Sequence, residues 1–490
     1  MSEDADRLPR SRSSGATYLI GGRAGVGLIT LASTIITARL LLPHAYGIAA
    51  MALVFTGFLG IFRDAGMSQA ILRKGHIDEA EISFLFWFNC AATTVLAAAL
   101  AFLARPLSDY YQTPEVRTVI FGLIPSFVIA GIATQHGAIL HRNMRFAAIS
   151  TISITSALAG FVIGVTVAFV RRDVWAIIAS ATAQATVSAF LTIALAKWKP
   201  SKPGRISGLR DVLSFGTNST AFSLLNYLSA SLPAFVLGSL FGPAPLGHFS
   251  RAQTLFSLPI NTGMSPIIQA TMPIMTRQRA DPPAYRETYL QLLGRLNCIM
   301  LPGSCLLIFA AEPAVITVLG ARWAIAGTML AVLAPALIAY GINAPTVDLL
   351  ISQNRSAALR MQGVYDFACR ALGVLAGLPF GPIAIVAGYS IATLLLAPLH
   401  VTLTGRQGPV TARDQWQAIA PALPIGLAAA IGGLAGRWLS NYADLGPFWT
   451  LISTVGAGLA TIFTLLALNK KSRNMAVSLW YGLTNSSSSS

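Results

Sequence analysis

Five arginines, Arg23, Arg39, Arg251, Arg295 and Arg370, stand inside stretches otherwise apolar enough to cross a bilayer. Only one acid, Asp366, lies comparably deep. A charge at the centre of a membrane helix costs at least about 2.5–3.5 kcal/mol, so each arginine needs a reason. Fixed positive charge in a low-dielectric cavity makes a binding site for an anion, and the planar guanidinium fork suits phosphate and carboxylate. Some of the five have a simpler account. Arg39 lies near the outer end of the first apolar stretch, where a long side chain can snorkel to the interface. Asp366 and Arg370 stand four apart, acid first, the favoured order for an intrahelical pair. Self-neutralised packing and a proton- or ion-linked gate both fit them. Arg23 is about six residues, or roughly 9 Å at 1.5 Å per residue, inside the cytoplasmic face. Arg251 lies at a similar depth below the outer face, and Arg295 has Asn297 beside it.

The neighbours of these arginines are polar as well. Thr30, Ser33, Thr34 and Thr37 follow Arg23; Asn226, Tyr227, Ser229 and Ser231 precede Arg251; and His248, Ser250, Gln253 and Thr254 flank it. Together the first, seventh and eighth apolar stretches read as the basic lining of a water-filled cavity between two halves. The residues expected to hold an anionic substrate are Arg23, Arg251, Arg295, Asn226, Tyr227 and Gln253. Those expected to gate or couple are Asp366, Arg370 and Arg39.

The elements that must position these side chains are membrane helices. The 490 residues are 54% hydrophobic and only 11% charged, with a mean hydropathy of +0.65, whereas soluble domains carry about 25% charged residues. The expected class is an all-α polytopic membrane protein. Fourteen spans of bilayer length can be placed, at 17–40, 45–62, 82–104, 117–136, 147–170, 174–196, 212–240, 245–271, 287–310, 327–347, 357–378, 381–404, 417–436 and 446–468. Charge orients them. With the N-terminus in the cytoplasm, most of the 34 lysines and arginines fall inside, and so do Lys74, Lys197, Lys199, Lys202, Lys470 and Lys471. Both ends are therefore expected in the cytoplasm. The net charge of +16 then faces anionic lipid and needs no nucleic acid.

A basic Pro/Gly-rich linker at 197–211 divides the chain. The expected organisation is a cytoplasmic tail at 1–16, an N-lobe of six spans at 17–196, the linker, a C-lobe of six spans at 212–404, two further spans within 405–468, and a cytoplasmic tail at 469–490. An internal echo supports paired halves. Pro43 and Gly47 in the first outer hairpin recur at an offset of 200 as Pro243 and Gly247. Parallel repeats about an axis along the membrane normal would produce this.

Several chemistries are disfavoured. No carboxylate pair or Cys/His cluster suggests a metal, and no cofactor is expected. Cys90, Cys298, Cys305 and Cys369 lie within spans as small hydrophobes. The glycines from Gly21 to Gly27 miss the dinucleotide-binding pattern. The outer loops are too short for the aqueous site of a membrane glycosyltransferase or polymerase. A cation-coupled exporter of amphipathic small molecules would need a deep carboxylate in the first six spans, and none is evident.

Three stretches resemble a known family: Arg63-Asp-Ala-Gly-Met-Ser-Gln-Ala70, Leu140-His-Arg-Asn-Met-Arg-Phe146 and Gly247-His-Phe-Ser-Arg-Ala-Gln253. With the fourteen-span plan they resemble the Wzx-type polysaccharide-export flippases of the multidrug/oligosaccharidyl-lipid/polysaccharide superfamily. The resemblance implies two six-helix bundles with alternating access. It implies an undecaprenyl-diphosphate-linked oligosaccharide as substrate, moved from the cytoplasmic to the periplasmic leaflet of a bacterial inner membrane. It also implies arginines on spans one and eight, here Arg23 and Arg251, that hold the diphosphate. A polysaccharide polymerase and a chain-length regulator are the protein partners of such a pathway. Coupling to protons or sodium stays open, because the acids of the drug-extruding cousins are not matched.

Overall fold

The computed structural model describes residues 10–64, 78–201 and 209–468. Both ends of the chain, the 65–70 part of the first family-like stretch and the centre of the basic linker lie outside the described residues. Every regular element among the described residues is helical. In chain order they are α1 (Arg10–Leu40), α2 (Pro43–Asp64), α3 (Glu79–Tyr110), α4 (Glu115–Arg142), α5 (Phe146–Arg171), α6 (Trp175–Ala196), α7 (Leu209–Phe241), α8 (Pro243–Pro259) and α9 (Ser265–Arg277). There follow α10 (Pro282–Leu319), α11 (Ala324–Leu333), α12 (Pro335–Ser352), α13 (Ser356–Gly377), α14 (Pro382–Gly405), α15 (Ala412–Ile419), α16 (Ala422–Tyr442) and α17 (Pro447–Leu468).

Among the described residues, eleven helices are long and apolar enough to cross a membrane. They become twelve if residues 321–333 and 335–352, bent by 48°, form one crossing. Pro335 explains the bend, since it lacks the N–H that would continue the helix. Two expected spans differ from this simple kind for visible reasons. The eighth is divided into α8 and α9 by a widened turn at Ile260–Met264, directly after Pro259. The eleventh, α13, carries Arg360, Asp366 and Arg370 in a single helix.

The chain falls into two compact units, Met1–Ser250 and Arg251–Ser490. In unit one α5 packs on α1 and α6, α4 on α3 and α6, and α2 on α4 and α7. Small residues allow the close approaches. The buried Asn89 amide of α3 donates to the Gly131 carbonyl of α4 at 2.9 Å, a bond that needs the backbones near each other.

Unit two is organised on α10, a 38-residue helix about 57 Å long at 1.5 Å per residue. It packs against α11, α12, α15, α16 and α17. Tyr285, Tyr289, Leu292, Leu293, Leu296 and Met300 of α10 bury against Ile342 and Leu349 of α12 and Val401 of α14. The buried hydroxyls have partners. Tyr285 bonds Ser352 at 2.6 Å and Tyr289 donates to Gln415 at 3.1 Å. Gln415 belongs to α15, a short helix within what hydropathy reads as the approach to the thirteenth span. Thr411 and Asp414 form its capping box.

Candidate functional site

Arg23 sits on α1, where that helix meets α5. Gly22 permits the approach, since a β-carbon there would meet Ser150 Oγ at 2.7 Å. Arg23 is half-buried and has no acidic partner among the described residues. One turn further along α1, Val26 borders a groove of about 450 Å³. Ser153 and Ser156 of α5 and Gln184 and Ser188 of α6 line it. Ser153 donates to the Ile149 carbonyl at 2.9 Å and Ser156 to that of Ser153 at 3.2 Å, so each oxygen keeps lone pairs for an incoming hydroxyl. Gln184 is exposed and offers both a donor and an acceptor. A cation one turn from a row of hydroxyls suits a phosphate joined to a sugar.

The other candidates of unit one stand differently. The Tyr227 hydroxyl of α7 donates to the Val54 carbonyl of α2 at 2.7 Å, which ties these two helices together. Asn226 is exposed beside it, and Arg39 is exposed near the end of α1. The described acids before the linker, Asp64, Asp78, Glu79, Glu81, Asp109, Glu115 and Asp173, all stand at helix ends or in connections.

The echoed hairpins meet. A β-carbon on Gly47 would run into the Pro243 carbonyl oxygen, and one on Gly247 would run into that of Pro43. The two turns thus pack reciprocally, each glycine against the proline that opens the other helix. Only hydrogen fits at either position.

In unit two Arg251 and Gln253 are half-buried on α8, and Arg295 is half-buried on α10 beside the fully buried Asn297. Asn297 donates to the carbonyls of Leu293 at 2.8 Å and Gly341 at 3.1 Å. Asp366 and Arg370 lie in a buried cluster. Arg370 Nη2 is 4.0 Å from Asp366 Oδ2, and its Nε donates to Thr393 Oγ1 of α14 at 3.2 Å. Its guanidinium lies 5.6 Å from the centre of the Tyr389 ring, within cation–π range. Asp366 Oδ1 faces His400 Nε2 at 2.7 Å, and His400 Nδ1 faces Asn343 Oδ1 of α12 at 2.6 Å. His400 and Asn343 are functional candidates that spacing does not reveal, because they come from separate helices. A histidine within an apolar span was the available signal.

Residues of the family-like stretches mostly hold helices in place. Arg63 donates to the Phe127 carbonyl at 3.3 Å and covers the Phe127 ring at 5.1 Å. Arg145 donates to the Leu195 carbonyl near the end of α6 at 2.6 Å. The four cysteines are free thiols, Cys298 buried and the others half-buried.

Comparison with known proteins agrees with this architecture. Over 379 residues the chain is 24% identical to the lipopolysaccharide biosynthesis protein WzxC of Escherichia coli (strain K12), covering 76% of this chain and 75% of that one. Over 332 residues it is 25% identical to the teichuronic acid biosynthesis protein TuaB of Bacillus subtilis (strain 168), covering 65% and 68%. In fold it is similar to the lipid II flippase MurJ in an inward closed conformation, with a TM-score of 0.70 over 93% of this chain and 98% of that one, at 15% identity. A model of polysaccharide biosynthesis proteins matches residues 36–327, more than half of the chain. The chain belongs to the polysaccharide biosynthesis protein family.

Proposed function

We propose that this protein is a transporter, a flippase that carries an undecaprenyl-diphosphate-linked oligosaccharide repeat unit from the cytoplasmic to the periplasmic leaflet of a bacterial inner membrane. The observation that carries this is Arg23, a half-buried cation without an acidic partner among the described residues, one turn from the hydroxyl-lined groove of α5 and α6. The diphosphate takes the cation and the first sugars take the hydroxyls and Gln184. Within unit two, Arg251, Arg295 and Gln253 are half-buried and are the further candidates for holding an anion. The lipid tail stays in the bilayer, where transfer costs it nothing, while the headgroup, which hydrocarbon excludes, passes along protein. Family membership and the names of WzxC, TuaB and MurJ support this reading. Both termini face the cytoplasm, and a polymerase and a chain-length regulator work on the delivered repeat unit.

The test replaces Arg23 and Arg251, singly and together, with Ala and with Lys. At unchanged membrane abundance the Ala variants lose surface polysaccharide and accumulate complete repeat units on the inner leaflet, and Lys restores part of the output. Normal polymer in the double Ala variant would remove these arginines from the mechanism.

A further inference from the structure

A cavity of unit one has no part in the reading above. It lies where α3 ends and α4 and α6 begin, and it measures about 720 Å³, within the range of small-molecule sites. Arg105, Asp109, Arg117, Thr118, Phe121 and Trp175 line it, with small neutral residues between them. Gln184 of the α1 groove stands nine residues beyond Trp175 on α6. That is half a turn round the helix and about 14 Å along it, so the two sites are separate.

The walls are fixed by the chain's own bonds. Ser108 donates to the Thr113 carbonyl at 3.2 Å, and Thr113 to that of Tyr111 at 3.0 Å, which closes the turn between α3 and α4. Tyr111, Val116, Val119 and Ile120 around that turn are buried. Before α6, Asp173 accepts from the Trp175 backbone N–H at 3.0 Å and pairs with Arg171 at 3.1 Å. The Arg171 guanidinium lies 5.4 Å from the centre of the Trp175 ring. Walls held in this way need little ordering when a ligand arrives.

The cavity offers charge and ring faces. Arg105 and Arg117 are exposed, and neither has an acidic partner among the described residues. Arg117 leans on Phe121, its guanidinium 5.9 Å from the ring centre. Asp109, one turn from Arg105, has no cationic partner among the described residues either. The nearby Glu115 and Asp173 do not line the cavity. Two guanidinium groups and one carboxylate leave the lining with one net positive charge.

Each of these features selects. The guanidinium fork matches a carboxylate, and a single carboxylate balances the net charge. A phosphate monoester, at about −1.5 to −2 near neutral pH, exceeds it. Asp109 and Thr118 can accept from hydroxyl groups. The negative ring faces of Trp175 and Phe121 attract the C–H bonds of a sugar ring. An ethanolamine headgroup would match the charges but has no ring to lay on the aromatics, and Asp109 repels a purely anionic lipid. We propose that this cavity binds an acidic saccharide, its carboxylate on Arg105 and Arg117, its hydroxyls on Asp109 and Thr118, and a ring against Trp175 or Phe121. With the N-terminus in the cytoplasm, the cavity lies at the periplasmic end of unit one. On the flippase reading, on which this step alone rests, the saccharide is the headgroup of a delivered repeat unit, whose sugars then include an acidic one.

The test is fluorine NMR of the full chain in phosphatidylcholine nanodiscs, labelled with fluorotryptophan. Of the eight tryptophans, Trp175 is assigned by the loss of its signal in Trp175→Phe. Digalacturonate moves the Trp175 signal and saturates. Neutral digalactose of the same linkage binds at least about tenfold more weakly, because it lacks the charge that the arginines pair. The double variant Arg105→Gln, Arg117→Gln weakens digalacturonate by about tenfold or more, and unmoved signals from the other tryptophans show that it is folded. Glycerophosphoethanolamine and inorganic phosphate leave the Trp175 signal in place. The proposal is overturned if digalacturonate does not move that signal, if the neutral disaccharide binds equally well, or if the double variant keeps its affinity. An equal response to glycerophosphoethanolamine also overturns it and marks a lipid headgroup site; an equal response to phosphate overturns it and marks an unselective anion site. In each case the flippase reading stands or falls separately, on the polymer output of the Arg23 and Arg251 variants.

Discussion

Arg23 and Arg370 are the same side chain, each well inside a helix, and the molecule treats them oppositely. Arg370 is 4% exposed and is surrounded by Asp366, Thr393 and the face of Tyr389. Arg23 is half-buried, one turn from a hydroxyl-lined groove, with no acidic partner among the described residues. The first arrangement compensates the cost of burying charge within the protein. The second leaves compensation to water or to an anion. An intramembrane charge is therefore informative less by its presence than by what neutralises it.

The contrast breaks most sharply by mutation. Removing one partner of a buried charge pair costs about 3–5 kcal/mol, because the other charge is stranded. Arg370→Ala should therefore lower the thermal unfolding temperature of the detergent-solubilised protein by several degrees or abolish folding. Arg23→Ala strands no acidic partner among the described residues, so its stability should change by no more than about 0.5 kcal/mol while transport is lost. Equal destabilisation by the two would show that Arg23 is also neutralised internally. Asp366→Asn in the Arg370→Ala background should recover part of the loss, since the stranded carboxylate is gone.

A smaller effect is expected at the reciprocal hairpins. Each glycine faces a carbonyl of the backbone, which cannot rotate away as a side chain can. Gly47→Ala and Gly247→Ala should each cost about 1–3 kcal/mol, the usual range for overpacking. One outward shift of the turns relieves both clashes, so the double variant should cost clearly less than the sum. Additive unfolding shifts would mean that the two contacts yield independently.

Much of this architecture is visible in hydropathy and charge alone, because crossing a bilayer demands about 20 apolar residues at a time. Against the fourteen expected spans, the described residues hold eleven helices, or twelve with the bent pair, that are long and apolar enough to cross. The Pro43/Gly47 and Pro243/Gly247 echo is legible too, since close backbone approach selects glycine at both positions. The Asp366–Arg370 pair follows from four-residue spacing on one helix. The sequence does not disclose His400, which reaches Asp366 from α14, or Asn343, which reaches His400 from α12; contact between helices has no sequence period. Nor does polarity separate Tyr227, whose hydroxyl fastens α7 to α2, from the serines of the groove. Burial and hydrogen-bond partners make that distinction.

The same comparison has a weaker counterpart at α15. Arg286 of α10 binds Asp414 through two contacts, of 3.0 and 2.6 Å, a bidentate arrangement near the surface. This hydrogen-bonded guanidinium, with further bonds from Thr411, holds the Asp414 carboxyl below the usual carboxylate range. A carboxylate whose folded pKa is depressed contributes stability above its unfolded value, near 3.9, and loses it as pH falls through the folded value. The docking of α15 should therefore be independent of pH from about 5 to 8 and weaken only below about pH 4, read as faster amide exchange across residues 412–419. At neutral pH, Asp414→Asn should reproduce that weakening, and the effect should be slight, because exposed ion pairs are screened by solvent. Gln415 is fully buried and bonded to Tyr289, Thr404 and the Val401 carbonyl, so Gln415→Ala should release α15 much more than Asp414→Asn does. If the order were reversed, the exposed pair would be the true anchor. Burial would then be a poor guide to which polar contacts hold this protein together, at Arg370 as well as here.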